Sequence, residues 1–125
     1  METNNPNKTF TLKLHPEGYY ELCIFDNYEI QIKDVLEIID TQKQLGGKKI
    51  PNLISGGKYS ITNLETLKFV SKNENMPYSL ASAFVTSSIS QKLLGNFYLK
   101  TFKPERPTKI FNSKEEALIW LKQYL

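Results

Sequence analysis

The sequence predicts an α/β fold of element order ββαβαβαβα: a mixed, mostly parallel sheet flanked by helices. Three observations carry this. Five short runs read as strands, the first with Phe10, Leu12 and Leu14 at period two and the others rich in apolar, small or β-branched residues. Four further runs carry apolar residues at helical spacing. The two kinds of run alternate after an opening strand pair, and strand–helix alternation implies right-handed crossovers between parallel strands.

Each element has its own justification. Phe10, Leu12 and Leu14 share one face of a first strand, and Pro16 and Gly18 stand where a tight turn wants them. Tyr19 to Phe25 form the second strand of a hairpin, an antiparallel edge to the sheet. Ile32, Val35, Leu36 and Ile39 form a helical stripe, with Asp34 and Glu37 near its start and Gly46-Gly47 as a stop. A third strand over 49–54 contains Pro51, which cannot donate to a ladder and so argues for an edge or a strand beginning. Thr62-x-x-Glu65 is a capping box for a helix buried through Leu64, Leu67 and Val70. Residues 80–86, small and β-branched, read as a central strand packed closely by helices, with a helix as the competing reading. Ser88-x-x-Gln91 caps a helix through Leu93, Leu94, Phe97 and Tyr98. After Pro104 and Pro107 a last strand, Thr108 to Phe111, leads into Ser113-x-x-Glu116 and a closing helix that buries Ala117, Leu118, Trp120 and Leu121. A chain of 125 residues holding these elements is read as one domain over residues 8–125, preceded by a flexible, polar arm over 1–7.

Composition excludes several functions. Cys23 is the single cysteine, so neither an internal disulfide nor a multi-cysteine zinc or iron–sulfur site is available. No metal and no cofactor are expected. No apolar run approaches the ~20 residues that span a bilayer, and the polar start lacks a signal-peptide pattern. Those features lead to the expectation of a cytoplasmic protein with no membrane insertion. The net charge of +3 comes from fifteen lysines and one arginine, Arg106, against thirteen acids. Arginine is the preferred reader of bases and phosphates, so nucleic acid is not the expected partner. The tight basic pair, Lys48-Lys49, reads as a solvated strand entrance.

Catalytic groups are equally thin. His15 is the single histidine and sits in the hairpin turn, so a Ser–His–acid arrangement would have to be built there. Cys23 alternates with Leu22 and Ile24 inside a strand and reads as packing. Glu115-Glu116 lies in the first helical turn, where negative charge complements the dipole. The expectation is a protein that is not an enzyme.

The order of elements, and above all the ending Phe111-Asn112-Ser113-x-x-Glu116-Ala117-x-x-Trp120-Leu121, resembles the SpoIIAA-like branch of the STAS domain superfamily. The resemblance runs from Phe10 to Leu125 and is closest to its small stand-alone bacterial members. It implies a non-catalytic regulatory or protein-interaction module, acting through a protein partner or through self-association as a homodimer. Established members of that branch are anti-sigma-factor antagonists, switched by phosphorylation of a serine at the start of the second helix. A related fold, the Sec14 type, carries lipids. The junction here reads Ser55-Gly56-Gly57-Lys58-Tyr59-Ser60-Ile61-Thr62 and lacks the Asp-Ser-Ser-Gly motif of those members, leaving Ser60 as the phosphorylation candidate nearest the helix start.

The alternative is a small-molecule or lipid-binding protein. In open α/β sheets ligands bind at the carboxyl ends of the strands. Ser55, Gly56, Gly57 and Lys58 stand at one such end, and Ser87 and Ser88 at the next. These six residues form the candidate rim for a ligand or a partner.

Overall fold

A computed structural model describes residues 2–4 and 9–125 of the chain. Along them run β1 (Glu2–Asn4), β2 (Phe10–His15), β3 (Tyr19–Ile24), β4 (Glu29–Ile30), α1 (Ile32–Gln44), β5 (Ile50–Ser55), β6 (Ile61–Thr62), α2 (Leu64–Val70), β7 (Ser79–Val85), α3 (Ile89–Thr101), β8 (Thr108–Phe111) and α4 (Lys114–Leu121). Single 3-10 turns follow α2 and α4. The main sheet has the order β1-β2-β3-β5-β7-β8; β1, β2 and β3 are antiparallel, and β3, β5, β7 and β8 run parallel. This is the mixed, mostly parallel sheet flanked by four helices that the element order predicts. Of the arm expected over 1–7, residues 2–4 pair with β2 as an outer strand, and the rest lies outside the described residues.

The hairpin turn is made as its residues demand. Gly18 takes φ +100°, and its N–H donates to the His15 carbonyl at 3.0 Å. Each capped helix start satisfies an orphan backbone N–H with a short polar side chain. Ser88 accepts from the Gln91 N–H and Ser113 from the Glu116 N–H, as the two boxes predict. The α2 cap differs: Asn63, not Thr62, accepts from the Thr66 N–H at 2.8 Å. Thr62 instead pairs in β6, a two-residue parallel bridge to β4 too short to leave a periodic signal. In α1, Asp34 accepts from the Gln31 N–H at 2.8 Å and from the Tyr28 hydroxyl.

Two sheet faces divide the core. Tyr19, Leu53, Ala83 and Phe111 pack under α4 against Ala117 and Leu121. Phe10, Leu12, Tyr20 and Leu22 pack on the opposite face against Ile38 of α1. Several buried stripes differ from the sequence reading. In α1 the buried apolar positions are Val35 and Ile38, while Leu36 points to solvent. Leu64 of α2 and Leu93 and Phe97 of α3 are also exposed. Pro51 is buried in a strand flanked on both sides, so the edge reading fails and the strand-beginning reading holds. The β5–β7 register shifts between Ile50 and Asn52, and Pro51 occupies that irregularity, where no ladder donor is required.

Candidate functional site

Strand register writes the site into the sheet. Residues in register on neighbouring parallel strands present side chains to one face. Leu22, Ile54, Phe84 and Ile110 therefore form an apolar row across four strands. One step toward the N-terminal ends, Tyr20, Asn52, Ser82 and Thr108 form a second, polar-rich row on the same face. Under the hairpin this face is filled by α1. Over β5, β7 and β8 it is not: a cavity of about 200 Å³ lies between the sheet and helices α1, α2 and α3. Its roof is Val35 and Ile38 of α1, Leu67 and Val70 of α2, and Leu94 and Tyr98 of α3. Ile30 and Ile61, from the β4–β6 bridge, close the end at the strand C-termini.

The two ends of the cavity differ in chemistry. At the strand C-termini the polar groups satisfy one another. The Gln91 Nε2 donates to the Gly57 carbonyl at 2.8 Å, to the Ser60 carbonyl at 3.0 Å and to the Ser60 Oγ at 3.2 Å. Its Oε1 accepts from the Ser87 N–H at 2.9 Å and from the Ser87 hydroxyl. Gln91 is thus a clasp between the two loops expected to form a rim, and the sequence reading assigned it to helix capping alone.

At the N-terminal end a charge is buried. Arg106 is 7% exposed, and its Nε donates to Ser82 Oγ at 3.3 Å, its Nη1 to Asn73 Oδ1 at 3.1 Å and its Nη2 to the Val70 carbonyl. Among the described residues no carboxylate lies within ion-pair distance of it. Burial draws the guanidinium below its ordinary value, although Tyr98 and Glu105 oppose the shift. Beside it, Tyr98 is 1% exposed and meets Phe84 edge-on at 6.2 Å. Burial pushes the Tyr98 hydroxyl up to about 12, with Arg106 acting in the other direction, so it remains a protonated donor at neutral pH. Gln42 donates from Nε2 to Asn52 Oδ1 at 3.0 Å, and Asn52 donates to Ser79 Oγ at 2.8 Å. Two buried side-chain atoms among the described residues lack any hydrogen-bond partner: the Tyr98 hydroxyl and Gln42 Oε1. Both residues line this cavity. An unpaired buried polar atom costs ~1–3 kcal/mol, so such atoms are rarely left in place without a use.

The rim residues expected from sequence are only partly brought together. Gly56 and Ser60 line the cavity. Ser55 falls in the row Cys23, Ser55, Val85, Phe111, which belongs to the α4 face. Gly57 is pressed against backbone: a Cβ there would lie 2.5 Å from the Ile24 carbonyl oxygen. Lys58 is exposed, and its N–H donates to Asp26 Oδ1 at 2.7 Å. Ser88 caps α3, and Ser87 is exposed with its hydroxyl 3.4 Å from the Gly56 carbonyl. Ser60 is 6% exposed and donates to the Gly57 carbonyl at 2.8 Å. It precedes the Asn63 cap of α2 by three residues. His15 lies far from this cavity, stacked on Tyr19 at 4.2 Å and bonded to Glu21 at 2.7 Å, which also meets Lys114 at 2.7 Å. Among the described residues no group of three or more His, Cys, Asp or Glu side chains is placed to hold a metal ion. No helix among them is long and apolar enough to cross a membrane.

Comparison with known proteins places the chain. A family model described as a domain of unknown function, DUF7793, matches residues 22–125. The chain belongs to the DUF7793 family. The matched region of this DUF7793 protein begins in β3 and includes every residue named above as lining the cavity. A crystal structure of an uncharacterized DUF3478-family protein from Shewanella loihica PV-4, with a SpoIIAA-like fold, superposes with a TM-score of 0.56 at 16% identity. The superposition covers 90% of this chain and 91% of that one. The fold is therefore SpoIIAA-like, as the C-terminal pattern implied. No curated protein sequence matches this DUF7793 chain.

Proposed function

We propose that this protein is a non-catalytic binding protein whose ligand is a small, largely apolar molecule held between the sheet and helices α1, α2 and α3. The observation that carries the reading is the cavity of about 200 Å³ with its aliphatic and aromatic walls. It exceeds the ~150 Å³ that suffices for a benzene-sized guest in an apolar core. An occupant that binds only the folded chain stabilises it by mass action. The non-catalytic part of the reading rests on His15 and Cys23. The histidine is engaged with Tyr19 and Glu21, and Cys23 belongs to the face opposite the cavity. The sequence-based expectation of a rim site thereby moves inward, to the space beneath α2.

The test is thermal unfolding of the full chain with octan-1-ol or xenon, alongside a cavity-filled variant, Val70→Phe. The expected result is a rise in Tm with either probe that disappears in Val70→Phe. No shift in the unaltered protein, or an equal shift in the filled variant, overturns the reading.

A second reading, a regulatory or protein-interaction module, is favoured by α3. Ile89, Leu93 and Phe97, spaced four apart, are 79%, 65% and 42% exposed. A helix face of this kind on a soluble domain fits contact with a protein surface. Sedimentation of the chain at rising concentration, with and without Leu93→Lys, tests its self-association form. A monomer at all concentrations removes that form.

A further inference from the structure

The cavity reading above leaves its ligand chemistry open, and the polar end of the cavity narrows it. We propose that the ligand is an apolar monocarboxylate whose carboxylate meets the Arg106 guanidinium and the Tyr98 hydroxyl while its hydrocarbon part lies on the Leu22–Ile54–Phe84–Ile110 row.

The argument rests on what Arg106 has and lacks. Its three hydrogen bonds go to neutral acceptors: a hydroxyl, a side-chain amide oxygen and a carbonyl. Burying a cation against neutral partners alone is costly, and proteins ordinarily bury arginine with a carboxylate or phosphate. No such group is within ion-pair distance among the described residues. A guanidinium carries five N–H donors, so donors remain for a carboxylate. Tyr98 also lines this cavity, and its hydroxyl, buried and without a partner, is a further donor at that end. A planar carboxylate matches the fork of an arginine better than it would match a lysine, and lysine is what this chain uses almost everywhere else. The rest of the wall is aliphatic, aromatic or neutral polar and holds no other charged side chain, so a second charge finds no partner and a single anionic group on an apolar body is the class that fits. At about 200 Å³ the space suits a short chain or a single ring rather than a long-chain lipid.

Isothermal titration of the full chain with octanoate and with octan-1-ol, in 0.5 M salt to screen surface lysines, separates this proposal from the one it rests on. Octanoate is expected to bind at least tenfold more tightly than octan-1-ol. Arg106→Met is expected to abolish that preference, and Arg106→Lys, which keeps the charge without the fork, to reduce it to about threefold or less. Tyr98→Phe, which keeps the ring, is expected to weaken octanoate several-fold and leave octan-1-ol unchanged. The circular dichroism spectrum shows which variants are folded; should Arg106→Met unfold, Arg106→Lys and Tyr98→Phe carry the test. Equal binding of the two probes, or an octanoate preference that survives in Arg106→Lys and Tyr98→Phe, overturns the carboxylate proposal while the cavity reading stands. Binding of neither probe overturns both.

Discussion

Gly57→Ala should destabilise this fold by ~2–4 kcal/mol, whereas Gly56→Ala should cost at most about 1 kcal/mol. The two glycines are neighbours in the loop that follows β5, both part of the candidate rim expected from sequence. Geometry separates them. A Cβ on Gly57 would lie 2.5 Å from the Ile24 carbonyl oxygen and 2.7 Å from both the N and the Oδ1 of Asp26, where ordinary contact begins at 3.4 Å. Two of those atoms are backbone and cannot swing aside. Relief requires the 56–60 loop to part from the 25–28 loop, and two hydrogen bonds hold that junction: Lys58 N–H to Asp26 Oδ1 at 2.7 Å, and Asn27 N–H to the Lys58 carbonyl at 2.8 Å. Overpacking costs ~1–3 kcal/mol and each weakened bond ~1 kcal/mol. The reduced freedom of the unfolded chain returns ~0.4–1 kcal/mol. At Gly56 the nearest atoms are the Gln91 amide at 3.0 Å and 3.1 Å and the Ser60 Oγ at 3.1 Å, ends of side chains that can move. For a chain of this size a kcal/mol corresponds to roughly 3–5 °C, so Gly57→Ala should lower Tm by roughly 6–20 °C. Urea unfolding followed by Trp120 fluorescence, with thermal unfolding by circular dichroism, reads the difference. Equal midpoints for the two variants would refute the close-packing account of Gly57.

Glu21 supplies a pH prediction. Burial raises its carboxyl, but hydrogen bonds from Lys114 and His15 outweigh that and hold it below the ordinary value of 4.5. A depressed folded value gives stability that is full above the unfolded value and lost as pH falls through the folded one. Glu21→Gln should therefore lower stability by ~1 kcal/mol or less at neutral pH, with the deficit vanishing as pH falls through the depressed folded value; urea midpoints from neutral to acid pH check it. Asn63→Ala should cost ~1 kcal/mol by uncapping α2, and Asn63→Asp should restore most of it, as read by chemical denaturation. Leu121→Ala, at a fully buried α4 position, should cost ~2–5 kcal/mol, whereas Leu93→Ala, 65% exposed, should stay within ~0.5 kcal/mol. A large loss at Leu93 would mean that α3 turns that face inward.

Local rules made much of this protein legible. Short runs located the five longer sheet strands, the first by period-two alternation and the others by composition, and Ser88 and Ser113 marked two helix starts because a cap acts over three residues of backbone. Short-range signals mislead where two neighbours compete for one role. Thr62 and Asn63 both suit a cap, and the β4–β6 bridge, formed between residues 32 apart, takes Thr62 out of contention. The helical stripes were right at Val35, Leu67, Ala117 and Leu121 and misled at some of their neighbours. Leu36 and Leu93 sit at apolar spacing, yet which side of a helix faces the sheet depends on where the other helices stand. Solvent exposure of a leucine is an ordinary outcome that periodicity does not forbid.

The candidate site shows the division most clearly. From sequence alone came the SpoIIAA-like α/β order, the scarcity of histidine and cysteine, and the expectation that strand ends carry any ligand. What only the tertiary structure decided is that Arg106, Tyr98, Gln42 and Gln91 share the wall of one cavity between the sheet and the helices. Those four residues come from a loop and two helices, and their positions in the chain span 65 residues from Gln42 to Arg106 inclusive. The sequence marks Arg106 as the lone arginine, but a lone arginine on a surface loop reads the same. Burial and the missing carboxylate are properties of its surroundings, brought together by strand register and helix placement, and no stretch of chain near Arg106 records them.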